Sequence, residues 1–223
     1  MPSASESDLF SNSDEGVYTR VDNITDEILS DYRRSYGSAV TNDDIFCYIY
    51  GILHSPKYRT EFASDLKKML PRIPKVKDFQ GFLKAGRTLS AMHTGYENVT
   101  PYKLTETVTG SPSESDLYRV QKMAFGKGKD RSTIIYNNHI TLSGIPDDAY
   151  RYMLGSKSAI EWIMERYQVT VHKDSQIRND PNDWATEHDQ PRYIVDLLKR
   201  IVTVSVETMK IVDDLPDLEL LVQ

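Results

Sequence analysis

The chain has 223 residues, of which 39% are hydrophobic, and its formal net charge at pH 7 is -6. This length and composition predict a packed core of one large or two small domains. The sequence has no run of 18 or more apolar residues and no basic-then-apolar amino-terminal segment, so we expect no membrane span, no signal peptide and a cytoplasmic location.

The charged residues are unevenly distributed along the chain. Residues 1–23 and 205–223 each contain five acidic residues and one basic residue, whereas residues 54–88 contain nine basic and three acidic residues. Residues 119–131 add five basic residues and one acidic residue. A nucleic-acid partner is therefore compatible with the negative total, because the local distribution of charge governs such binding.

The amino-terminal part is predicted to be helical after a disordered tail. Residues 1–23 are rich in Ser, Asp and Glu and lack periodicity, which is typical of a disordered acidic tail. Residues 24–100 are predicted to form a helical subdomain, with four helices between Thr25 and Tyr96.

The second and third of these helices follow each other closely. Apolar residues recur at helical spacing from Ile45 to Leu53, and Ser55 and Pro56 supply an N-cap and a first-turn proline for the next helix. The apolar stripe of that helix consists of Tyr58, Phe62, Leu66, Met69 and Leu70, ahead of Pro71 and Pro74. We predict a tight helical hairpin.

Residues 101–223 are predicted to form an α/β subdomain. Strand patterns cover residues 102–109, residues 117–125 and a hairpin over 132–144 whose turn is Asn137-Asn138. Helices are predicted over 147–154, 158–167 and 192–212, with a strand at 169–171 that closes the sheet and a long loop at 172–191. The predicted fold class is α+β, an amino-terminal helical bundle followed by a small, mostly antiparallel sheet with flanking helices.

Six blocks of the sequence occur in a collinear order that is more specific than any one of them. They are ITDEILSDYRRSYG (24–37), DIFCYIYGILHSPKYRTEFASDLKKMLPRIP (44–74), DFQGFLKAGRTLSAMHTGYE (78–97), YNNHITLSGIP (136–146), KSAIEWIMERYQV (157–169) and NDPNDW (179–184). In these blocks the chain resembles, from Ile24 to Asp213, the C-terminal specificity domain of type ISP restriction-modification enzymes, the single-polypeptide bacterial defence proteins.

The resemblance implies a target-recognition domain that binds duplex DNA sequence-specifically for an adjoining adenine methyltransferase and helicase-nuclease. Such a parent enzyme would use S-adenosylmethionine, ATP and Mg²⁺. This chain contains neither a G-x-x-x-x-G-K-[ST] loop nor the Asn/Asp-Pro-Pro-aromatic tetrapeptide of adenine amino-methyltransferases. We therefore expect a non-catalytic domain with no cofactor of its own, whose partners are double-stranded DNA and the methyltransferase and helicase domains of the parent enzyme.

A recognition domain needs cations that hold phosphates and polar side chains that bond base edges. The phosphate candidates are Lys122, Lys127, Lys129, Arg131 and Lys157, the last beside Ser158 at a predicted helix start. The base-edge candidates are Asn137, Asn138, Lys173, Gln176, Arg178, Asn179 and Asn182. A structural interpretation stays open for some of them, with Asn137-Asn138 only a turn and residues 179–184 only a folded loop pinned by Trp184.

Two other functions are left open by the sequence. The acidic ends would suit a docking module without DNA contact, and the basic helical half, with Lys67, Lys68, Arg72, Lys75 and Lys77, would face either DNA or an acidic methyltransferase surface. The acidic residues Asp180, Asp183, Glu187 and Asp189 would suit either a hard cation, as in a metal nuclease, or a solvated loop. The five histidines have no zinc-site spacing.

Overall fold

The computed structural model describes residues 22–221. The chain divides into two compact units, residues 1–42 and residues 43–223. In the first unit, helix α1 (Asp26–Tyr36) begins after Thr25, whose hydroxyl accepts a hydrogen bond from the Ile28 amide. The predicted tail over residues 1–23 lies almost wholly outside the described residues.

Four further helices follow, α2 (Asn42–His54), α3 (Pro56–Glu61), α4 (Ala63–Lys67) and α5 (Phe79–Thr94). The Ser55 hydroxyl accepts a hydrogen bond from the Tyr58 amide, and Pro56 occupies the first turn of α3. The predicted start of this helix is therefore confirmed, and the cap satisfies one of the amides that a helix start leaves unpaired.

The predicted helix with an apolar stripe from Tyr58 to Leu70 is wrong at its carboxyl end. It breaks at Phe62, where φ is -101° and ψ is 19°, and the second segment ends at Lys67. Met69 then adopts a left-handed φ of 58°, and Met69 and Leu70 face solvent with exposed fractions of 85% and 65%. The left-handed turn redirects the last two stripe residues away from the core.

Helices α2 and α5 cross at two glycines. A Cβ atom added to Gly86 would lie 1.8 Å from the carbonyl oxygen of Cys47, and one added to Gly51 would lie 2.3 Å from that of Phe82. Only a residue without a side chain permits so close an approach of two backbones.

A partly buried set of polar side chains joins α2 and α5 to the last helix, α9 (Tyr193–Asp213). The two ring nitrogens of His93 lie 2.8 Å from the Tyr50 hydroxyl and 2.8 Å from the Thr208 hydroxyl. Burial, together with the neighbouring His54, lowers the pKa of His93 to about 4. The imidazole is therefore neutral near pH 7 and links the three helices by hydrogen bonds.

The β-rich part contains a four-stranded antiparallel sheet. Its strands are β1 (Thr105–Val108), β2 (Ala124–Gly126), β3 (Asp130–Ile135) and β4 (Ile140–Ser143), in the spatial order β1-β4-β3-β2. The register pairs Ile134 with Leu142, and both side chains are fully buried. The predicted hairpin, with Asn137 and Asn138 in its turn, is confirmed.

Shorter elements complete the described chain. They are α6 (Glu114–Leu117), β5 (Met153–Leu154), β6 (Lys157–Ser158), α7 (Ala159–Arg166), β7 (Thr170–Val171), β8 (Arg178–Asn179) and α8 (Asn182–Glu187), with 3-10 turns at Tyr96–Asn98, Lys127–Lys129 and Asp147–Tyr150. Strand β5 pairs with β6, and β7 pairs with β8.

Four predictions in this part are wrong. The strand predicted over 117–125 begins only at Ala124, and the helix over 147–154 is one 3-10 turn followed by β5. The strand at 169–171 pairs with β8 instead of closing the main sheet, and the long loop at 172–191 contains β8 and α8. Val120 and Met123 are buried although their backbone is irregular. Their apolar side chains therefore produced a strand-like sequence pattern without a strand.

Helix α9 lies at the centre of the core. It packs against α5 and α7, and its side chains share one apolar cluster with Ile134, Ile140 and Leu142 of the sheet. At its start, Arg192 donates to both carboxylate oxygens of Glu106, at 3.1 and 3.0 Å. Hydrogen bonds from Arg192 keep the pKa of Glu106 below its usual value, in spite of burial.

The predicted α+β class, with the helices first, is confirmed. The predicted subdomain boundary at residue 100 stays a prediction. None of the helices between residues 22 and 221 has the length and apolar character needed to span a membrane.

Candidate nucleic-acid interface

Strands β7 and β8 form a two-stranded ribbon, residues 170–179, which is exposed on both faces. Every residue of it is exposed, including Val171 and Ile177, whose exposed fractions are 55% and 68%. Thr170 pairs with Asn179, and Val171 pairs with Arg178. Because an isolated hairpin is at best marginally stable in water, the ribbon must be fixed at its base.

The base of the ribbon is fixed by residues 119–121, here named the clasp. The Val169 amide donates to the Gln121 carbonyl oxygen at 2.9 Å. On the other side, the buried Asn182 side chain exchanges hydrogen bonds of 2.9 and 2.8 Å with the backbone of Val120. Consecutive backbone groups therefore hold both ends of the ribbon.

Asp180 adds a charged contact at the same place. Its carboxylate, only 4% exposed, accepts hydrogen bonds from Arg119 at 2.9 Å and from Arg178 at 2.8 Å. Burial by itself would raise the pKa of Asp180, but the hydrogen bonds from Asn182 and the two guanidinium groups lower it below its usual value. Two arginines from separate segments are thereby held together at the foot of the ribbon.

The tip of the ribbon is ordered by its own hydrogen bonds. The His172 amide donates to the Ile177 carbonyl oxygen at 2.9 Å, and the Gln176 amide donates to that of His172 at 2.8 Å. Gln176 has a left-handed φ of 56°, and its side-chain amide donates to the Lys173 carbonyl oxygen at 2.6 Å. Within residues 22–221, the side chains of Lys173 and Asn179 have no hydrogen-bond or ion-pair partner and point to solvent.

Asn137, in the β3–β4 turn, is used by the fold. Its amide nitrogen donates to the carbonyl oxygens of Leu117 and Arg119 at 2.8 and 2.9 Å. Its oxygen accepts from the amides of His139 and Ile140 at 2.8 and 2.7 Å. The amide group has two donors and room for two accepted bonds, so nothing remains for a base edge. Asn182 is also used by the fold, because its buried side chain bonds Val120 and Asp180. The roles of Asn137 and Asn182 as base readers stay predictions, which these contacts do not favour.

Asn138 lies at a small cleft beside the clasp. The cleft has a volume of about 270 Å³, and its lining includes Arg119, Gln121 and Lys122. Lys122 and Asn138 are exposed, and in the described part of the chain their side chains have no hydrogen-bond or ion-pair partner. The cleft therefore joins the exposed half of the turn to the foot of the ribbon. A larger cleft, of about 830 Å³, lies on the α8 side of Arg119.

Lys127 and Lys129 lie at the opposite end of β3, in the 3-10 turn that precedes it. Both are exposed, and neither forms an ion pair with any described residue. Arg131, by contrast, pairs with Glu161 at 3.1 Å, and its guanidinium lies 4.2 Å from the ring centroid of Tyr150. The six residues of β3 separate this turn from Asn138 by roughly 20 Å.

Lys157 does not mark a vacant anion site. Its ammonium pairs with Glu165 and lies 5.2 Å from the Trp162 ring centroid. At the start of α7, Ser158 and Glu161 form a complete capping box, with the Glu161 carboxylate accepting from the Ser158 amide at 2.9 Å. A carboxylate thus occupies the place where a phosphate would bind, so the contacts of α7 do not favour the phosphate anchor, which stays a prediction.

The predicted residues therefore divide by location. Around the clasp and ribbon lie Lys122, Asn138, Lys173, Gln176, Arg178 and Asn179. At the far end of β3 lie Lys127 and Lys129. Contacts within the fold occupy Arg131, Asn137, Lys157 and Asn182.

Sequence reasoning missed Arg119, Gln121 and the role of Asp180. Arg119 entered only the charge count of its segment, and Gln121 gave no signal. Asp180 was considered as a metal ligand, but two arginines hold its carboxylate. The sequence Asp180-Pro181-Asn182 was an available signal, because Asp before a turn commonly bonds the backbone two residues on, as it does here at 3.0 Å. Among the described residues, no group of three or more His, Cys, Asp or Glu side chains could hold a metal ion.

A second exposed feature lies in the helical half, at residues 67–72, here named the apolar–basic corner. It presents Met69 and Leu70 to solvent between the exposed side chains of Lys67, Lys68 and Arg72. The turn is fixed, since the Leu70 amide donates to the Asp65 carbonyl oxygen at 3.1 Å.

Comparisons with known proteins identify the family to which this chain is similar. A family model described as the type ISP C-terminal specificity domain matches residues 2–197. No match was found among curated proteins. A solved structure of a nuclease-deletion mutant of the type ISP restriction-modification enzyme LlaGI, in complex with a DNA substrate mimic, is 41% identical with a TM-score of 0.74, over 82% of this chain and 17% of that chain.

Two further solved structures are similar. The ATP-dependent type ISP restriction-modification enzyme LlaBIII bound to DNA is 36% identical with a TM-score of 0.77, over 87% of this chain and 12% of that one. A DrdV–DNA complex is 34% identical with a TM-score of 0.74, over 89% of this chain and 20% of that one. The chain thus spans a fifth or less of the length of these polypeptides. Because the family model covers most of its sequence, the chain belongs to the type ISP C-terminal specificity domain family.

Proposed function

We propose that this chain is the target-recognition domain of a type ISP restriction-modification enzyme and binds duplex DNA sequence-specifically. It would do so for an adjoining adenine methyltransferase and helicase-nuclease. The observation that carries the proposal is that three similar structures, at 34% to 41% identity, are complexes with DNA or a DNA mimic.

The geometry supports separate roles for two groups of side chains, one that contacts phosphates and one that contacts base edges. Lys127 and Lys129 at one end of β3, with Lys122 near the other, are exposed cations suited to phosphates. The side chains suited to base edges are Asn138, Lys173, Gln176, Arg178 and Asn179. A separation of roughly 20 Å along β3 is of the order of a duplex diameter, so both groups can contact one DNA molecule.

In this proposal the chain is itself non-catalytic and acts in the cytoplasm, where its DNA partner lies. The chemistry would belong to the rest of the parent enzyme, which would use S-adenosylmethionine, ATP and Mg²⁺. The contribution of this chain is to hold the duplex in one register so that the methyltransferase meets one adenine.

A salt titration of duplex binding by the full chain tests the proposal. The logarithm of the binding constant should fall linearly with the logarithm of salt concentration, because bound lysines release counterions. Substitution of Lys127 and Lys129 by Ala should reduce the magnitude of the slope by about 2, roughly one for each phosphate contact. Lys84→Ala, an exposed lysine on α5 outside the proposed surface, is the matched control. An equal effect of the control, or no duplex binding at low salt, would contradict the proposal.

A second candidate function, a docking module without DNA contact, is favoured by the apolar–basic corner. Exposed apolar side chains within a basic surface suit an acidic protein partner with an apolar depression. In that case Met69→Ser with Leu70→Ser should weaken association with the methyltransferase-helicase portion of the same enzyme, while the wild-type chain binds no duplex. If the double substitution leaves the association unchanged, this candidate fails.

A further inference from the structure

The 170–179 ribbon lacks the packing that ordinarily explains a β-hairpin. A sheet usually covers one face with the core, yet both faces of this ribbon are open to solvent. A flat partner surface would cover only one of them. A groove covers both at once, and the major groove of B-DNA, about 12 Å wide, admits a two-stranded ribbon.

The composition of the ribbon also fits a groove. Directly paired residues lie on the same face, so one face carries Val171 and Arg178 and the other carries Thr170 and Asn179. The apolar side chains suit thymine methyl groups, whereas Arg suits guanine and Asn suits adenine. The paired arms of the ribbon, residues 170–172 and 177–179, extend about 10 Å, which is comparable to the groove depth of about 8.5 Å.

Arg178 is held in place before any ligand binds. One of its terminal nitrogens donates to Asp180 at 2.8 Å, and Asp180 is almost fully buried. A guanidinium carries five N–H donors in a rigid fork, so donors remain for a base edge. A side chain that is already fixed loses less conformational entropy on binding than a free one.

Building on the proposed function, we propose that the 170–179 ribbon is the specificity-determining element, which enters the major groove with Arg178 and Asn179 on base edges. Asp180 is a positioning residue that acts through Arg178. The clasp fixes the position of the ribbon relative to the rest of the fold. The β3–β4 turn contributes only Asn138, because Asn137 is saturated within the fold.

The test is a selection of preferred sequences from a random duplex library by the full chain, followed by titration of the selected duplex and scrambled duplexes. Arg178→Ala should relax the preference at one base pair by about 5- to 150-fold, the range for a bidentate contact. Asn179→Ala should relax it at a neighbouring base pair. Thermal unfolding should not change for Asn179→Ala, whose side chain is exposed, and should change only slightly for Arg178→Ala, because Arg119 still pairs with Asp180.

Asp180→Asn tests the positioning role. It should relax the same base pair as Arg178→Ala, and the double variant should be no less selective than Arg178→Ala alone. A merely structural role would weaken binding to all duplexes equally. Two controls are matched to the ribbon. Met153→Ser, in the exposed β5–β6 pair, should leave both affinity and preference unchanged, and Lys127→Ala should lower affinity for every duplex without altering preference.

The outcomes separate this inference from the proposed function. If the wild-type chain prefers a sequence and the ribbon variants keep that preference, the inference is overturned and the proposed function stands. Binding without any preference overturns the inference and leaves only duplex binding. No binding to any duplex overturns both.

Discussion

The crossing of α2 and α5 predicts that adding one methyl group will destabilise the protein. Gly86→Ala places a Cβ atom 1.8 Å from the Cys47 carbonyl oxygen, whereas ordinary contact begins at 3.4 Å, so the helices must separate by roughly 1.6 Å. A gap of 0.5–1 Å already forfeits about a quarter to a half of the dispersion energy between packed atoms. The fully buried Ile45, Tyr48 and Leu89 would lose such contacts.

The expected change can be given a magnitude and a sign. A fully buried side chain contributes about 1.5–3 kcal/mol, so partial loss for three of them amounts to roughly 4 kcal/mol. Replacing Gly by Ala inside a helix returns about 1 kcal/mol of helix propensity. We expect the free energy of unfolding to fall by about 3 kcal/mol, which for a chain of this size lowers Tm by roughly 6–12 °C.

Equilibrium unfolding in urea, followed by circular dichroism, measures this change. Thr88→Ala, on the exposed face of α5, is the matched control and should alter stability by no more than about 0.5 kcal/mol. A Gly86→Ala protein that is as stable as the wild type, or more stable, would refute the backbone contact, because propensity alone predicts a gain of about 1 kcal/mol.

Three further predictions concern polar side chains that form hydrogen bonds within the fold. Because unfolded histidine binds a proton near pH 6.5 and folded His93 only near pH 4, stability should fall as the pH drops through this window, by at most about 1.4 kcal/mol per unit. His93→Gln should flatten this profile in acid-unfolding curves, whereas substitution of the exposed His188 should not. Asn182→Ala should lower stability by about 2–3 kcal/mol, through the loss of two hydrogen bonds to Val120, and should speed amide exchange in the ribbon; unchanged exchange would contradict the clasp. Asn137→Ala should lower the free energy of unfolding by a similar amount, while Asn138→Ala should change it by no more than about 0.5 kcal/mol in urea denaturation. Equal effects of the two substitutions would contradict the finding that the fold uses the Asn137 amide and not the Asn138 amide.

Local signals in the sequence were sufficient where a cap or a turn decided the structure. Ser55 and Pro56 marked the start of α3, and Asn137-Asn138 marked the β3–β4 turn. Apolar content misled where tertiary contacts decided, as at Val120, which is buried in irregular backbone. The end of the helix near Met69 was missed because a left-handed turn by a methionine has no sequence signature.

The candidate interface was predictable by residue type but not by role. Exposed Lys122, Arg178 and Asn179 have the chemistry that the sequence indicated. Asn182 has the same chemistry, but the fold buries it against Val120. Which amide is exposed depends on contacts 62 residues apart in sequence, and local pattern carries no information on such contacts.

If the ribbon reads base sequence as proposed, the clasp has a consequence for how new specificities could arise in this fold. Both ends of the ribbon are held by Val169, Asp180 and Asn182, which lie just outside residues 170–179. Among the described contacts of the side chains between them, only that of Arg178 with Asp180 reaches outside the ribbon. Ribbons that keep an arginine at this position could therefore be exchanged between relatives with little cost in stability. The rest of the domain would then be a constant scaffold, and the ribbon would be the exchangeable segment that contacts the bases.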